Sequence, residues 1–251
     1  MDRLAQTALS AIRQTQDLKF DLAHNLANVN VPGFRRDLPN EGNAGFLKAL
    51  DRETAKVLPL ETDQRLFSSE MGQLQNTGVE TDIAVLNEAY FFIQPENGQV
   101  ALSRRGDLSV DGQNQLVNGA GDLILSDGLA PIVLPPFSSI SITDIGEVLI
   151  QEPGAAIGDL TAIGFIGSTQ AELEQLTKSL DGKIRKSDGT VPAADQTGKF
   201  GQGFLEASNV NAIEELVRNL DMQRHFEINV KLIKKASDLD TAGAKLLGLP
   251  N

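Results

Sequence analysis

His24-Asn25-Leu26-Ala27-Asn28-Val29-Asn30-Val31-Pro32-Gly33-Phe34-Arg35-Arg36 closes a run of apolar or small residues at Leu4, Ala8, Ala11, Thr15, Leu18, Leu22, Asn25 and Val29. The spacings alternate four and three, the seam of a heptad pattern rather than the broad stripe of a helix docked on a globular core. Asp2 is placed to cap such a helix. Pro32-Gly33 must end it, because Pro disfavours the α conformation in the residue before it. A helix of that span would be about 40 Å long at 1.5 Å per residue.

The other end of the chain mirrors this pattern. Asn211 followed by Glu214 resembles a capping box, and apolar positions follow at Ile213, Leu216, Leu220, Phe226, Val230, Ile233, Ala236 and Leu239. Glu214–Arg218 and Glu227–Lys231 are acid-first (i, i+4) pairs, each worth a few tenths of a kcal/mol. Lys231, Lys234 and Lys235 lie late in the run, where they partly complement the helix dipole.

The middle reads as strand. Short apolar runs occur at Tyr90-Phe91-Phe92-Ile93, Leu108-Ser109-Val110, Leu123-Ile124-Leu125, Ile132-Val133-Leu134 and Val148-Leu149-Ile150. Between them stand the turn pairs Asn97-Gly98, Asp111-Gly112, Asn118-Gly119 and Asp127-Gly128, which mark hairpins of a sandwich or barrel. Ser168 to Leu180 reads as a short helical stretch, and Gly182 to Gly203 as loop or hairpin. The expected fold class is α+β, with long N- and C-terminal helices pairing as a coiled coil and a central all-β domain.

Chemistry is sparsely provided. The chain of 251 residues has a net charge of −12, no Cys and two His. The acidic balance argues against nucleic acid, whose affinity rests on Lys and Arg at phosphates. Without Cys there is no disulfide, thiolate metal site or thiol nucleophile. His24 and His225 lack ligand-spaced companions for zinc, and no Gly-x-Ser-x-Gly turn presents a nucleophile. Asp122 with Asp127, and Glu147 with Glu152, could form an acid–base pair, but acidic residues beside Gly are usually turn formers. The Gly-x-Gly pairs at Gly119 and Gly201 complete no phosphate-binding fingerprint. The doublets Arg35-Arg36, Arg104-Arg105 and Lys234-Lys235 read as solvated surface. The expectation is no catalytic residue, no cofactor, no metal and no small-molecule substrate. No apolar run reaches the ~20 residues of a membrane helix, and Met1-Asp2-Arg3-Leu4-Ala5-Gln6 has neither a basic nor an apolar signal region.

Two segments carry a family resemblance. His24 to Arg36 is similar to the Asn-Asn-Leu-Ala-Asn-x-x-Thr-Pro-Gly-Phe signature of flagellar rod, hook and hook-associated axial proteins, with His24 and Val31 departing from it. Gly203-Phe204-Leu205-Glu206-Ala207-Ser208-Asn209-Val210-Asn211 resembles their Gly-x-Leu-Glu-x-Ser-Asn-Val motif. Ser103-Arg104-Arg105-Gly106-Asp107-Leu108 stands where Thr-Arg-x-Gly-x-Phe is usual. The length, the Met1-Asp2-Arg3 start and Leu180-Asp181-Gly182-Lys183-Ile184-Arg185 look most like the proximal-rod members.

The resemblance implies a structural subunit of the basal-body rod, self-assembling into a helical shaft around a central channel. Its partners would be other axial rod proteins, copies of itself and the flagellar type III export apparatus, with export to the periplasm-spanning rod without a cleaved signal. Residues 1–36 and 204–251 would form the terminal helical axial core, 37–80 an extended connector and 81–203 the β-rich domain. Assembly would rest on Leu4, Leu18, Leu22, Asn25, Leu26 and Asn28 of the first helix, and on Pro32, Gly33 and Phe34 at its break. Leu205, Glu206, Ser208, Asn209 and Val210 of the second motif would join them, with Leu216, Leu220, Phe226, Val230 and Ile233 of the last helix. The competing reading is an acidic cytosolic homodimeric binding module. A polysaccharide-acting enzyme is the third.

Overall fold

The computed structural model describes residues 16, 18–39, 66–156, 158–179 and 181–248. The chain divides into two compact units, one comprising residues 1–27 and 211–251, the other residues 28–210.

The second unit is built from short antiparallel strands: β1 (Leu74–Asn76), β2 (Ile83–Val85), β3 (Tyr90–Gln94), β4 (Ala101–Ser103), β5 (Leu108–Val110), β6 (Leu116–Asn118), β7 (Leu123–Ile124), β8 (Ser139–Ile142), β9 (Glu147–Gln151), β10 (Thr161–Phe165), β11 (Ser168–Thr169), β12 (Leu176–Lys178), β13 (Ile184–Lys186), β14 (Phe200–Gln202) and β15 (Phe204–Glu206). The largest sheet runs β12-β13-β4-β3-β7-β6-β5, with β11 also paired to β3. A three-stranded sheet runs β10-β9-β8, and two ribbons pair β2 with β14 and β1 with β15.

β3 explains the core. Successive strand side chains point to opposite faces. Phe91 and Ile93 therefore join one apolar cluster with Ile83, Ile124, Val148 and Ile150, while Tyr90 and Phe92 join a second with Phe67, Leu102, Leu176 and Ile184. A strand buried on both faces has to be aromatic or aliphatic where it is buried, and from Tyr90 to Ile93 it is; only the last residue, Gln94, is polar and half-buried. The turn pairs sit where the chain reverses. Gly98 closes the β3–β4 hairpin onto the Pro95 carbonyl, and Asp111 opens the β5–β6 hairpin by donating to the Gln115 carbonyl.

The stretch from Ser168 to Leu180 is not helical beyond one 3₁₀ turn at Leu173–Gln175; β11 and β12 occupy most of it. Its Ala, Leu, Glu and Gln favour helix, but pairing of β12 with β13 overrides that preference.

In the first unit, helix α1 covers residues 18–27, with Gln16 also helical, and α2 covers Ala212–Leu247. Asn211 caps α2, its side-chain oxygen accepting from the amides of Ile213 at 3.0 Å and Glu214 at 3.4 Å. The Glu214 side chain turns instead to Arg218, at 2.7 Å.

The expected pair of long terminal helices wound as a coiled coil is corrected here. The described N-terminal helix has about three turns. On α2, Leu216, Leu220 and Val230, placed in the seam, are exposed, as are Ile213, Val217 and Ile228. A heptad seam buries its apolar positions, and these are not buried. The spacing supplies the reason: from Leu220 the next apolar residues are Met222 and Phe226, intervals of two and four that break the alternation of three and four and turn the stripe off one face. Among the described residues, one point at which the two helices meet is the Lys19 ammonium, 4.8 Å from the centre of the Phe226 ring. The molecule is dominated by its β domain, not balanced between helix pair and sheet.

Candidate functional site

The two sequence motifs come together inside the β unit. Asn28 starts successive tight turns, Val31 N–H to the Asn28 carbonyl at 3.1 Å and Phe34 N–H to the Val31 carbonyl at 3.3 Å. The chain then runs alongside the second motif. Gly33 N–H donates to the Glu206 carbonyl at 2.7 Å, Asn209 N–H to the Phe34 carbonyl at 3.3 Å, and Arg36 N–H to the Asn209 side-chain oxygen at 2.7 Å. Gly33 has φ of +65°, and a methyl at its Cα would strike the Arg104 carbonyl. Only Gly takes that conformation at that closeness without strain.

Glu206 is the centre of the junction. Its carboxylate is buried, with Oε1 2.9 Å from Arg35 Nη1 and Oε2 2.6 Å from Arg104 Nε. The Gly72 amide also donates to Oε1, at 2.8 Å. Two guanidiniums against one carboxylate leave a surplus positive charge, and backbone carbonyl dipoles answer it. Arg104 donates to the carbonyls of Val85 and Asn87, each at 2.6 Å, and to that of Ala89; Arg35 donates to that of Glu70. Arg104 also stacks over the Tyr90 ring at 5.7 Å. Burial lowers the Arg35 guanidinium from its ordinary value, opposed by the Glu206 charge. Burial pushes the Tyr90 phenol up, so it stays neutral. Breaking a buried pair of this kind costs about 3–5 kcal/mol, because the remaining charge is stranded.

A second ion pair lies on the same segment. Lys178 Nζ donates to Asp37 Oδ1 and to the Arg35 carbonyl, each at 2.6 Å, and sits 3.7 Å from the centre of the Phe34 ring. Asn209 further donates to the Glu70 carbonyl at 2.8 Å, and the Ala207 amide to the Gln73 carbonyl at 2.8 Å. Five stretches of chain far apart in sequence, at 33–37, 70–73, 104, 178 and 206–209, are thus clasped at one place.

Of the residues expected to carry assembly, the structure brings together Gly33, Phe34, Glu206 and Asn209, with Pro32, Leu205 and Ser208 half-buried around them and Val210 buried. Asn28 opens the turn. In the first unit Leu22 and Asn25 are buried, Leu18, Leu26, Phe226 and Ile233 half-buried, and Leu216, Leu220 and Val230 exposed; Leu4 lies outside the described residues. The reading of Arg35 and Arg104 as solvated surface is overturned, since both are buried, Arg104 to 1% exposure. Their type suggested water; their pairing with Glu206 removed them from it. Lys178 and Asp37 were not anticipated; Tyr90 was read only as part of an apolar strand, and Arg104 only as part of a basic doublet and as the Arg of the Thr-Arg-x-Gly-x-Phe pattern. The imagined acid Asp122 is engaged structurally, accepting from Asn118 Nδ2 at 3.0 Å and pairing with Lys183. Among the described residues no cluster of His, Cys, Asp and Glu suits a metal ion.

The geometry defines a buried structural joint, and comparison with known proteins supplies the family. Residues 84–150 match the model of the flagellar hook protein FlgE/F/G D1 domain, and residues 202–246 that of the flagellar basal body rod FlgEFG protein C-terminal region. The chain is 32% identical to the flagellar basal-body rod protein FlgG of Buchnera aphidicola over 87% of this chain and 89% of that protein. It is 28% identical to the flagellar basal-body rod protein FlgF of Salmonella typhimurium over 99% of this chain and all of that protein, and 28% identical to FlgF of Escherichia coli with the same coverage. The chain belongs to the flagellar basal-body rod protein family. Its likeness to the FlgF proteins runs the full length of both chains.

Proposed function

We propose that the chain is a structural subunit of the flagellar basal-body rod, in its proximal part, and that its two motifs serve assembly by locking together the segments that leave the β domain. The observation that carries this is one buried carboxylate, Glu206 of the second motif, held by Arg35 of the first and by Arg104 of the β domain. Such a joint transmits torque only if it is stiff, and buried charges held by several partners at once favour one geometry. Helical assembly with other rod proteins and with copies of itself, export through the flagellar type III apparatus without signal cleavage, and a periplasm-spanning place in the rod are parts of the same proposal. They rest on family membership. No catalytic step belongs to it, and no observation favours a closed homodimeric binding module.

The test is a strain lacking the chain and one carrying a tagged copy. The first is expected to be non-motile and to lack complete rods, and the second to yield tagged chain in purified basal bodies. A motile deletion strain, or basal bodies free of the tagged chain, would refute the role.

A further inference from the structure

We propose that Lys178 is a positioning residue that sets the register of the first motif on the β domain, where residues 36–38 pair with residues 66–68. The inference does not depend on the rod reading and is tested on purified protein. The Lys178 side chain is 3% exposed, and it holds three groups of one short segment more than 140 residues away: the Phe34 ring, the Arg35 carbonyl and the Asp37 carboxylate. Directly beside them the chain pairs back on itself. Asp37 and Phe67 form an antiparallel bridge, Leu38 N–H donates to the Leu66 carbonyl at 2.9 Å, and Ser68 N–H donates to the Arg36 carbonyl at 2.8 Å. Residues 36–38 and 66–68 therefore lie side by side, with Lys178 held against the first of the two.

The need for a lysine follows from the sequence of the segment. Arg36-Asp37-Leu38 offers an anion at one position only. A bridge as short as this one specifies its register weakly by itself. A slip of one residue would set either a like charge or an apolar side chain against a buried ammonium, and a buried ammonium without a partner is costly. The aromatic face of Phe34 and the Arg35 carbonyl complete a cradle for the cation. Lys178 lies outside both stretches that match family models, 84–150 and 202–246, so neither match assigns it a part.

Amide hydrogen exchange on purified Lys178→Met, Asp37→Asn and the charge-keeping Lys178→Arg decides the matter. In Lys178→Met and Asp37→Asn the amides of Leu38 and Ser68 are expected to exchange on the order of a hundredfold faster, while those of β3 and β9 keep their protection. Lys178→Arg, which keeps a cation over Phe34 and beside Asp37, should hold exchange at Leu38 and Ser68 slow. A role in general stability alone predicts loss spread evenly over β3 and β9 and no rescue by the retained charge. That result, or unchanged exchange at Leu38 and Ser68 in folded Lys178→Met or Asp37→Asn, overturns the proposal. If Lys178→Met does not fold, Asp37→Asn decides by the same two outcomes.

Discussion

The joint and the C-terminal helix invert the usual rule in opposite ways. Around Glu206 the interior holds charges, Arg35, Arg104, Asp37 and Lys178 among them. On α2 the surface holds large apolar side chains, Ile213 at 73% exposure and Leu220 at 55%. The difference teaches that partners, not residue type, decide burial. Each charge at the joint has an opposite charge or several carbonyls within hydrogen-bond distance. Each exposed apolar residue on α2 forgoes about 1.5–3 kcal/mol that burial would give. The β unit therefore draws its stability from its own contacts. The described part of α2 relies mainly on helix propensity, capping and local pairs, which are weak in isolation.

The largest effect expected from this contrast is at Glu206. Glu206→Gln keeps the shape and removes the charge, leaving two buried guanidiniums facing an amide. Denaturant unfolding of the β unit should show a loss of about 3–5 kcal/mol. A loss below about 1 kcal/mol would mean that the carbonyls alone support Arg35 and Arg104.

Gly33→Ala comes next. The left-handed backbone costs an L-residue about 1–2 kcal/mol, and the added methyl must push against the Arg104 backbone carbonyl. A loss of about 2 kcal/mol or more is expected, with α2 helicity by circular dichroism unchanged. A neutral substitution would show that the motif turn bends freely and is not clamped.

How much of this was legible in the sequence follows the same division. The hairpins were readable because Asn97-Gly98 and Asp111-Gly112 are local signals, and the alternation of β3 is local too. The motif residues Gly33 and Glu206 could be picked out, but not the counter-ions of Glu206. Arg104 stands 102 residues from it in the chain, and an Arg-Arg doublet looks the same in water or in a core. Lys178 was invisible because its strand was read as helix. The coiled coil failed for the converse reason: heptad spacing tells which residues could share a seam, and not whether a seam closes.

A smaller effect is expected in acid. Burial opposes the charge on Asp181, but hydrogen bonds from Arg185, the Lys183 amide and Asn97 outweigh it and hold the carboxyl below the usual carboxylate range. Asp195 is similar, with burial outweighed by Thr197 and the Gln170 amide. These groups sit on the loops around β12, β13 and β14. A depressed carboxyl contributes stability above its unfolded value, near pH 3.9, and loses it as pH falls through the lower folded value. Stability should therefore be flat from neutral pH to about pH 5 and fall below about pH 4. Asp181→Asn should flatten part of that acid limb, and an unaltered limb would remove Asp181 from the account.

The smallest effect, and the sharpest test of the contrast, is Leu220→Asp on α2. At a closed seam this change would bury an unpaired charge at a cost of several kcal/mol. Here the side chain is 55% exposed, so the loss of burial is small. Asp is the poorer helix former by roughly half a kcal/mol. That cost is offset in part because position 220 stands four residues before Arg224, an acid-first spacing worth a few tenths of a kcal/mol. The net change in the purified monomer should lie within about 0.5 kcal/mol by thermal melting followed at 222 nm. The same substitution at fully buried Phe92 should unfold the β unit, which confirms that the assay can report a buried charge. A loss above about 1 kcal/mol for Leu220→Asp would mean that Leu220 is packed in the monomer after all, and the exposed apolar face of α2 would no longer stand against the buried charges of the joint.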